Sequence, residues 1–281
     1  MISILWCLLG IFAGVIFGTI PGAAAFLAIA TFYPLLYTLD PFNILLFYIA
    51  LLITCNYTNS ITAILYGIPG DASAVATARH GHNLLLKGEG HLAVSSNAIS
   101  STIGSVFAIG LFLIFLPSIY NIFQFYNSTI QLAIISLAVI LLTVLSQQKT
   151  WYTILLFILG GVLAKIGFDN MTHTTWGTFD IDYLTLGIPF SAVMIGLYIV
   201  PELLKFRNIE FSFRKSIKKF GYSASTLPAT GIGSFVGFWC GLIPGVTNVL
   251  GSYLSANLVK TDIKKIAAAE SANNSGALSS L

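Results

Sequence analysis

The sequence predicts an all-α protein that crosses a membrane many times, with an inverted internal repeat and broken helices. Three observations carry the prediction: scarce charge, apolar runs of spanning length, and a glycine-rich motif that occurs twice. Hydrophobic residues make up 56% of the 281 and charged residues 8%, against roughly 25% charge in a soluble domain. Apolar runs fall near 2–20, 23–38, 41–66, 92–116, 129–145, 152–168, 183–204, 224–243 and 246–259. About 20 apolar residues cross the roughly 30 Å of hydrocarbon. Spanning segments must satisfy their own backbone hydrogen bonds, so they are helices. The alternation of a membrane barrel is absent.

The first run has no basic residue ahead of it and flows into further membrane sequence, so it is a mature helix rather than a cleaved signal. The formal charge of +3 and the lack of any Arg-rich stripe exclude nucleic-acid binding. Cys7, Cys55 and Cys240 stand alone inside apolar runs and are small core hydrophobes. Lys205, Arg207, Arg214, Lys215, Lys218 and Lys219 share one loop, which the positive-inside rule assigns to the cytoplasm. Alternating backwards, the acidic loop with Asp169, Asp180 and Asp182 falls outside. Gln147-Gln148-Lys149 and the polar stretch 71–91 fall inside, and the N-terminus outside.

Gly10, Gly14, Gly18, Ile20, Pro21 and Gly22 recur as Gly233, Gly237, Gly241, Ile243, Pro244 and Gly245, at a constant shift of 223 (from Gly14 to Gly237). Seven spans lead from the start of the first copy to that of the second, an odd number, so the copies enter the membrane from opposite sides. This is the inverted layout of many secondary transporters. It divides the chain into a first repeat with linking helices, 1–222, and the start of a second, 223–281.

Each glycine row lines one helix face and admits another backbone. The Pro-Gly pairs that end the rows break the helix, since proline removes a donor and glycine permits unusual dihedrals. The next half-helix then offers free N–H groups at its positive end, which bind a carboxylate. Pro21, Gly22, Pro244 and Gly245 are therefore candidate substrate-binding residues. A third break, Pro69-Gly70, follows Asn59, Ser60 and Thr62 and precedes Asp71 and Ser73. Polar residues at such depth face protein or a water-filled cavity. Asn59, Ser60, Pro69, Gly70 and Ser73 are candidates for a carboxylate or Na+. Asp71 either completes a cation site or caps the next helix. Asn273 and Asn274 join the candidates, and Glu270 is either a cation-coupling acid or an interfacial charge beside Lys264 and Lys265. His80, His82 and His91 are solvated loop residues, since a closed metal site needs a fourth ligand. No Ser/His/Asp set, phosphate loop or nucleotide motif accompanies them.

These residues resemble a known family, the large membrane subunit of tripartite tricarboxylate transporters (TctA). Gly18-Thr-Ile-Pro-Gly22, and Tyr57-Thr-Asn-Ser-Ile-Thr-Ala-Ile-Leu65 leading to Ile68-Pro-Gly70, resemble its first signatures. Gly160 to Asp169, Leu186 to Leu204, Gly233 to Tyr253 and Glu270 to Asn274 resemble later ones. The resemblance implies a permease subunit, not an enzyme, in the inner membrane of a prokaryote. It implies uptake of a small organic carboxylate delivered by a periplasmic binding protein (TctC-like), with a small membrane subunit (TctB-like) as partner. It also implies coupling to a cation, Na+ or H+, and no other cofactor. The sequence departs from the family at His80, where an acid is usual, and at Thr58-Asn59, where two glycines are usual. It also stops within the second copy, before any counterpart of Gly67-Ile-Pro-Gly70, so another segment or polypeptide is expected to complete it. The rival readings are a non-transporting membrane scaffold and a His-dependent membrane enzyme.

The orientation is testable with single cysteines in a cysteine-free background. An impermeant maleimide should label Thr175→Cys in intact cells and spare Ser216→Cys; the reverse pattern would invert the topology.

Overall fold

Helices form where the apolar runs predict them, and their ends repeat at the spacing of the motif. The computed structural model describes the chain apart from residues 1, 21–24, 125–126, 146–148, 170–171, 190–191, 194, 202–203, 205–220, 244–247, 261 and 281. In chain order come α1 (Ile2–Thr19), α2 (Ala25–Leu36), α3 (Pro41–Tyr66), α4 (Val75–Leu86) and α5 (Gly90–Phe123). Next are α6 (Ser128–Leu145), α7 (Thr150–Ala164), a hairpin of β1 (Gly167–Asp169) and β2 (Thr174–Trp176), and α8 (Asp182–Thr185). The second copy supplies α9 (Leu227–Leu242), α10 (Asn248–Val259) and α11 (Ile263–Ser280).

The repeat is structural as well as sequential. Thr19 and Leu242 close α1 and α9, Ala25 and Asn248 open α2 and α10, and Leu36 and Val259 close them, all at the shift of the motif. At twelve residues each, α2 and α10 reach about 18 Å, half a membrane. Each third helix starts at an aspartate cap: Asp40 accepts from Phe42 N at 3.1 Å, and Asp262 accepts from Lys264 N at 3.2 Å. That register is one residue shorter than the motif's, because the link between second and third helix has lost a residue.

The glycine rows explain why the helices pair. A Cβ at Gly10, Gly14 or Gly18 would overlap the carbonyls of Phe47, Leu51 and Cys55 on α3. At Gly233 and Gly237 it would overlap those of Ala269 and Asn273 on α11. In both copies the contact numbers rise together, so first and third helices run parallel at backbone contact. The copies themselves are opposed. Ile64, near the end of α3, packs with Ala267, near the start of α11. Midway along α3, Leu52 lines one cleft with Leu278, near the end of α11. The inverted repeat is thus visible in the packing.

Three described helices, Pro41–Tyr66, Gly90–Ile119 and Ser128–Leu145, are long and apolar enough to cross a membrane. Apolar side chains cover the outside, with Val144 74% and Leu156 62% exposed. Such a surface suits lipid and would be a liability in water. The alternation of spans puts Glu89, Gly221 and Lys264 on one side, and the structure joins Glu89 to Lys264 and Gly221 to Ser95. Lys264 Nζ lies 2.8 Å from Glu89 Oε1, and Ser95 Oγ donates to Gly221 O.

Four expectations change. The 152–168 run ends early at Ala164, and Gly167 (φ 125) starts a hairpin carrying part of the acidic loop. The 183–204 run opens with short α8, breaks at Gly187 (φ 80) and includes a π-helical turn at Ile195–Ile199. The stretch 71–91 is mainly α4, because Ala76, Thr77, Gly81 and Leu84 find a buried face. Finally, 263–280 is a full helix, α11, despite its polarity. The basic loop Lys205–Lys219 lies outside the described residues.

Gly14→Leu and Gly237→Leu should each lower stability by more than about 1–3 kcal/mol, the usual range for overpacking, because the obstacle is backbone. Gly110→Leu, which meets nothing within 4 Å, should be neutral. Thermal melts of detergent-purified protein check the contrast, and equal effects would refute the packing assignment.

Candidate functional site

The third break is built from side chains that reach backward. α3 ends at Gly67 (φ 69), whose N–H returns to Ala63 O. Two residues past Ile68, Gly70 N donates to Asn59 Oδ1 at 2.6 Å. Asp71 Oδ1 then accepts from Ser73 N at 2.9 Å, from Ala74 N at 3.2 Å and from Ser73 Oγ. Of the N–H groups expected to be free after Pro69-Gly70, those of Gly70, Ser73 and Ala74 are therefore taken, since an unpaired buried donor is costly. Of the two readings of Asp71, the cap is the one observed. Ser60 Oγ donates to Asn56 O within its own helix, at 3.1 Å.

Residues that follow all three Pro-Gly motifs line one cleft of about 300 Å³. Ala25 contributes from the start of α2, Asp71, Ala72 and Ser73 from the start of α4, and Asn248 and Val249 from the start of α10. Leu52 and Asn56 of α3 and Leu278 of α11 complete it. Ala25 and Asn248 are partners in the repeat, so equivalent helix starts meet there. Pro21, Gly22, Pro244 and Gly245 lie outside the described residues.

The asparagines of α11 stand behind this cleft. Asn273 Nδ2 donates to Asn248 O at 3.1 Å and to Ser252 Oγ at 3.2 Å. Ser252 Oγ donates to Asn274 Oδ1 at 2.9 Å, and Asn274 Nδ2 donates to Ser73 O at 3.1 Å. The pair thus ties the start of α10 to the start of α4, across the two repeats. Glu270 is not an interfacial charge. It is fully buried, and its Oε1 lies 2.7 Å from His80 Nδ1. Lys264 pairs with Glu89 instead. His80 in turn is a helical residue holding an acid, not a solvated loop residue, and His82 turns away to Ile64 O at 2.9 Å.

The tripartite tricarboxylate transporter TctA family matches this sequence over residues 4–281. The chain belongs to that family. It is 26% identical over 300 residues to an uncharacterised 52.8 kDa protein in the TAR-I ttuC′ 3′ region of Agrobacterium vitis, covering 99% of this chain and 59% of that protein. It is 28% identical over 271 residues to an uncharacterised protein of Methanocaldococcus jannaschii, covering 94% of this chain and 64% of that one. The chain therefore spans about three fifths of the length of these curated relatives. No solved structure matches it. Family and apolar helices together make it a multi-pass membrane protein.

Within this TctA-family chain, Asp71 and Ser73 line the cleft, while Asn59, Asn273 and Asn274 hold its walls. Asn56 and Asn248 line it and were missed. Asn56 was signalled by lying one turn before Ser60, and Asn248 by standing three residues after Gly245.

Asn59→Ala leaves Gly70 N without its buried acceptor and should cost about 1–3 kcal/mol of stability. Ser60→Ala removes only a bond within its own helix and should cost less than about 1 kcal/mol. Thermal melting separates the two, and the opposite ranking would overturn the role given to Asn59.

Proposed function

We propose that this chain belongs to the membrane-embedded pathway of a carboxylate importer, and that a small organic carboxylate binds in the cleft between the repeats. The observation that carries the reading is the convergence of the residues following all three Pro-Gly motifs on that one cleft. Helix starts present N–H groups and the positive end of the dipole, so they attract an anion without a buried Lys or Arg. With α4 already capped by Asp71, the starts of α2 and α10 are the ones offered to the ligand. The Asn56 and Asn248 carboxamides add neutral hydrogen bonds, and Pro69-Gly70, held by Asn59, leads into the Asp71–Ser73 wall.

Asp71 and Glu270 are the acids that would carry a coupling cation, Na+ or H+. Asp71 would repel a carboxylate in the same cleft, so a cation must compensate before both charges are tolerated. Membership of the family supports a periplasmic binding protein and a small membrane subunit as partners, in the cytoplasmic membrane of a prokaryote. Helix pairs opposed across the cleft suit alternating access, in which one repeat moves against the other.

Asn56→Leu and Asn248→Leu should each weaken carboxylate binding by roughly ten- to hundredfold, the effect of losing a hydrogen bond to a charged ligand. Calorimetry with citrate and succinate, on folded transporter completed with its partner subunits, measures this. If both variants bind as well as the parent, the cleft is not the site.

A further inference from the structure

Beyond the cleft, four of the six buried side-chain atoms without a hydrogen-bond partner among the described residues, Asn43 Oδ1 and Asn273 Oδ1 being the other two, belong to Thr77, Asn97 and Glu270. Glu270 Oε1 is held by His80, but its Oε2 is buried with no hydrogen-bond partner. Thr77 Oγ1 and both ends of the Asn97 carboxamide are also buried without one. Thr77 is 1% exposed, Asn97 1% and Glu270 0%.

Helix register brings these groups to one level. On α4, Thr77 lies between Ser73 and His80, one turn from each. Both neighbours touch α11: Ser73 through Asn274, and His80 through Glu270. Thr77 therefore shares the face of α4 that α11 covers. On α5, Asn97 lies midway between Ala93, which packs with Ala267, and Ser101, whose hydroxyl donates to Ser271 O at 3.4 Å. Asn97 thus faces α11 across the turn that carries Glu270. Three helices from both repeats converge with a carboxylate oxygen, a hydroxyl and a carboxamide.

Leaving such groups unpaired costs about 1–3 kcal/mol each, and more for a charge, so native interiors fill them. We propose that Glu270 Oε2, Thr77 Oγ1 and Asn97 Oδ1 form a binding site for one Na+ ion, separate from the cleft. Hard oxygen donors suit an alkali cation, and one carboxylate matches its single charge. Among the described residues, Lys264 is committed to Glu89 and Arg79 is exposed and makes no ion pair with Glu270, so His80 is the basic group that touches the carboxylate, and it touches only Oε1. An ionised Glu270 accepts the His80 Nδ1–H through Oε1, which fixes the carboxylate and turns Oε2 to the ion. The departure from the family at His80 thereby becomes an orienting contact. Thr77 is one turn along α4 from Ser73 in the cleft wall, so an ion there would be felt by the substrate. Only that coupling rests on the transporter reading; Na+ binding stands without it.

The test is thermal stability of the purified chain, without carboxylate, in NaCl against KCl and choline chloride at equal ionic strength. Na+ alone should raise the melting temperature of the parent in a saturable way. Glu270→Gln should abolish that shift, and Thr77→Val and Asn97→Leu should each raise the half-saturating Na+ concentration roughly tenfold or more. Asp182→Asn, at an exposed acid outside both sites, should keep the shift. Equal stabilisation by Na+ and K+, as a buried water alone would give, overturns the proposal. So does a shift that survives Glu270→Gln but vanishes in Asp71→Asn, which would put the ion in the cleft. A stability that follows pH but not Na+ would make the His80–Glu270 pair a proton site instead. Citrate binding, measured separately at saturating Na+, reports on the carboxylate reading alone.

Discussion

The contact on which the rest of the structure depends is backbone against backbone, where the glycine rows of α1 and α9 lie on α3 and α11. Lipid tails are as apolar as leucine, so no hydrophobic force draws helices together in a bilayer, and close packing has to do it. Gly10, Gly14 and Gly18 clamp α3 along one face, and Gly233 and Gly237 clamp α11. With its first and third helices in parallel contact, each copy leaves a second helix of only twelve residues, about 18 Å long. Two such units, opposed in direction, bring the starts of those short helices to the same cleft.

A helix interrupted in hydrocarbon must still satisfy the backbone groups it frees. Here the polar residues on the neighbouring helices do so. Asn59 takes Gly70 N–H, Asp71 caps α4, and Asn273 and Asn274 secure Asn248 O and Ser73 O. This explains how α11 can be so polar and yet so buried. Its Glu270, Ser271, Asn273 and Asn274 are the internal solvent of the broken region, and its alanines let α5 and α9 come close enough to exclude lipid. Few direct polar bonds join α4 to α11, chiefly Asn274 to Ser73 and His80 to Glu270.

Much of this was legible before any coordinates. The glycine rows, the Pro-Gly breaks and the odd number of spans between copies are sequence facts, and the helix ends obey the same shift. What was not legible was the destination of each polar side chain. Asn59, a candidate ligand by sequence, holds the Gly70 N–H, and Asn56, one turn earlier on the same helix, lines the cleft. His80 sits between Arg79 and Gly81, and nothing local announces that Glu270, far along the chain, will close on it. The length of α11 was missed because its alanines, serines and asparagines resemble a loop unless buried on every side.

The sequence by itself determined the class of the protein, its repeat and the places where helices break, because these follow from local chemistry: apolar length, missing Cβ atoms and missing N–H donors. Only the tertiary structure decided which polar groups are spent on the protein's own backbone and which remain for a ligand. That division depends on which helix faces meet, and the meeting is set by packing between residues hundreds of positions apart.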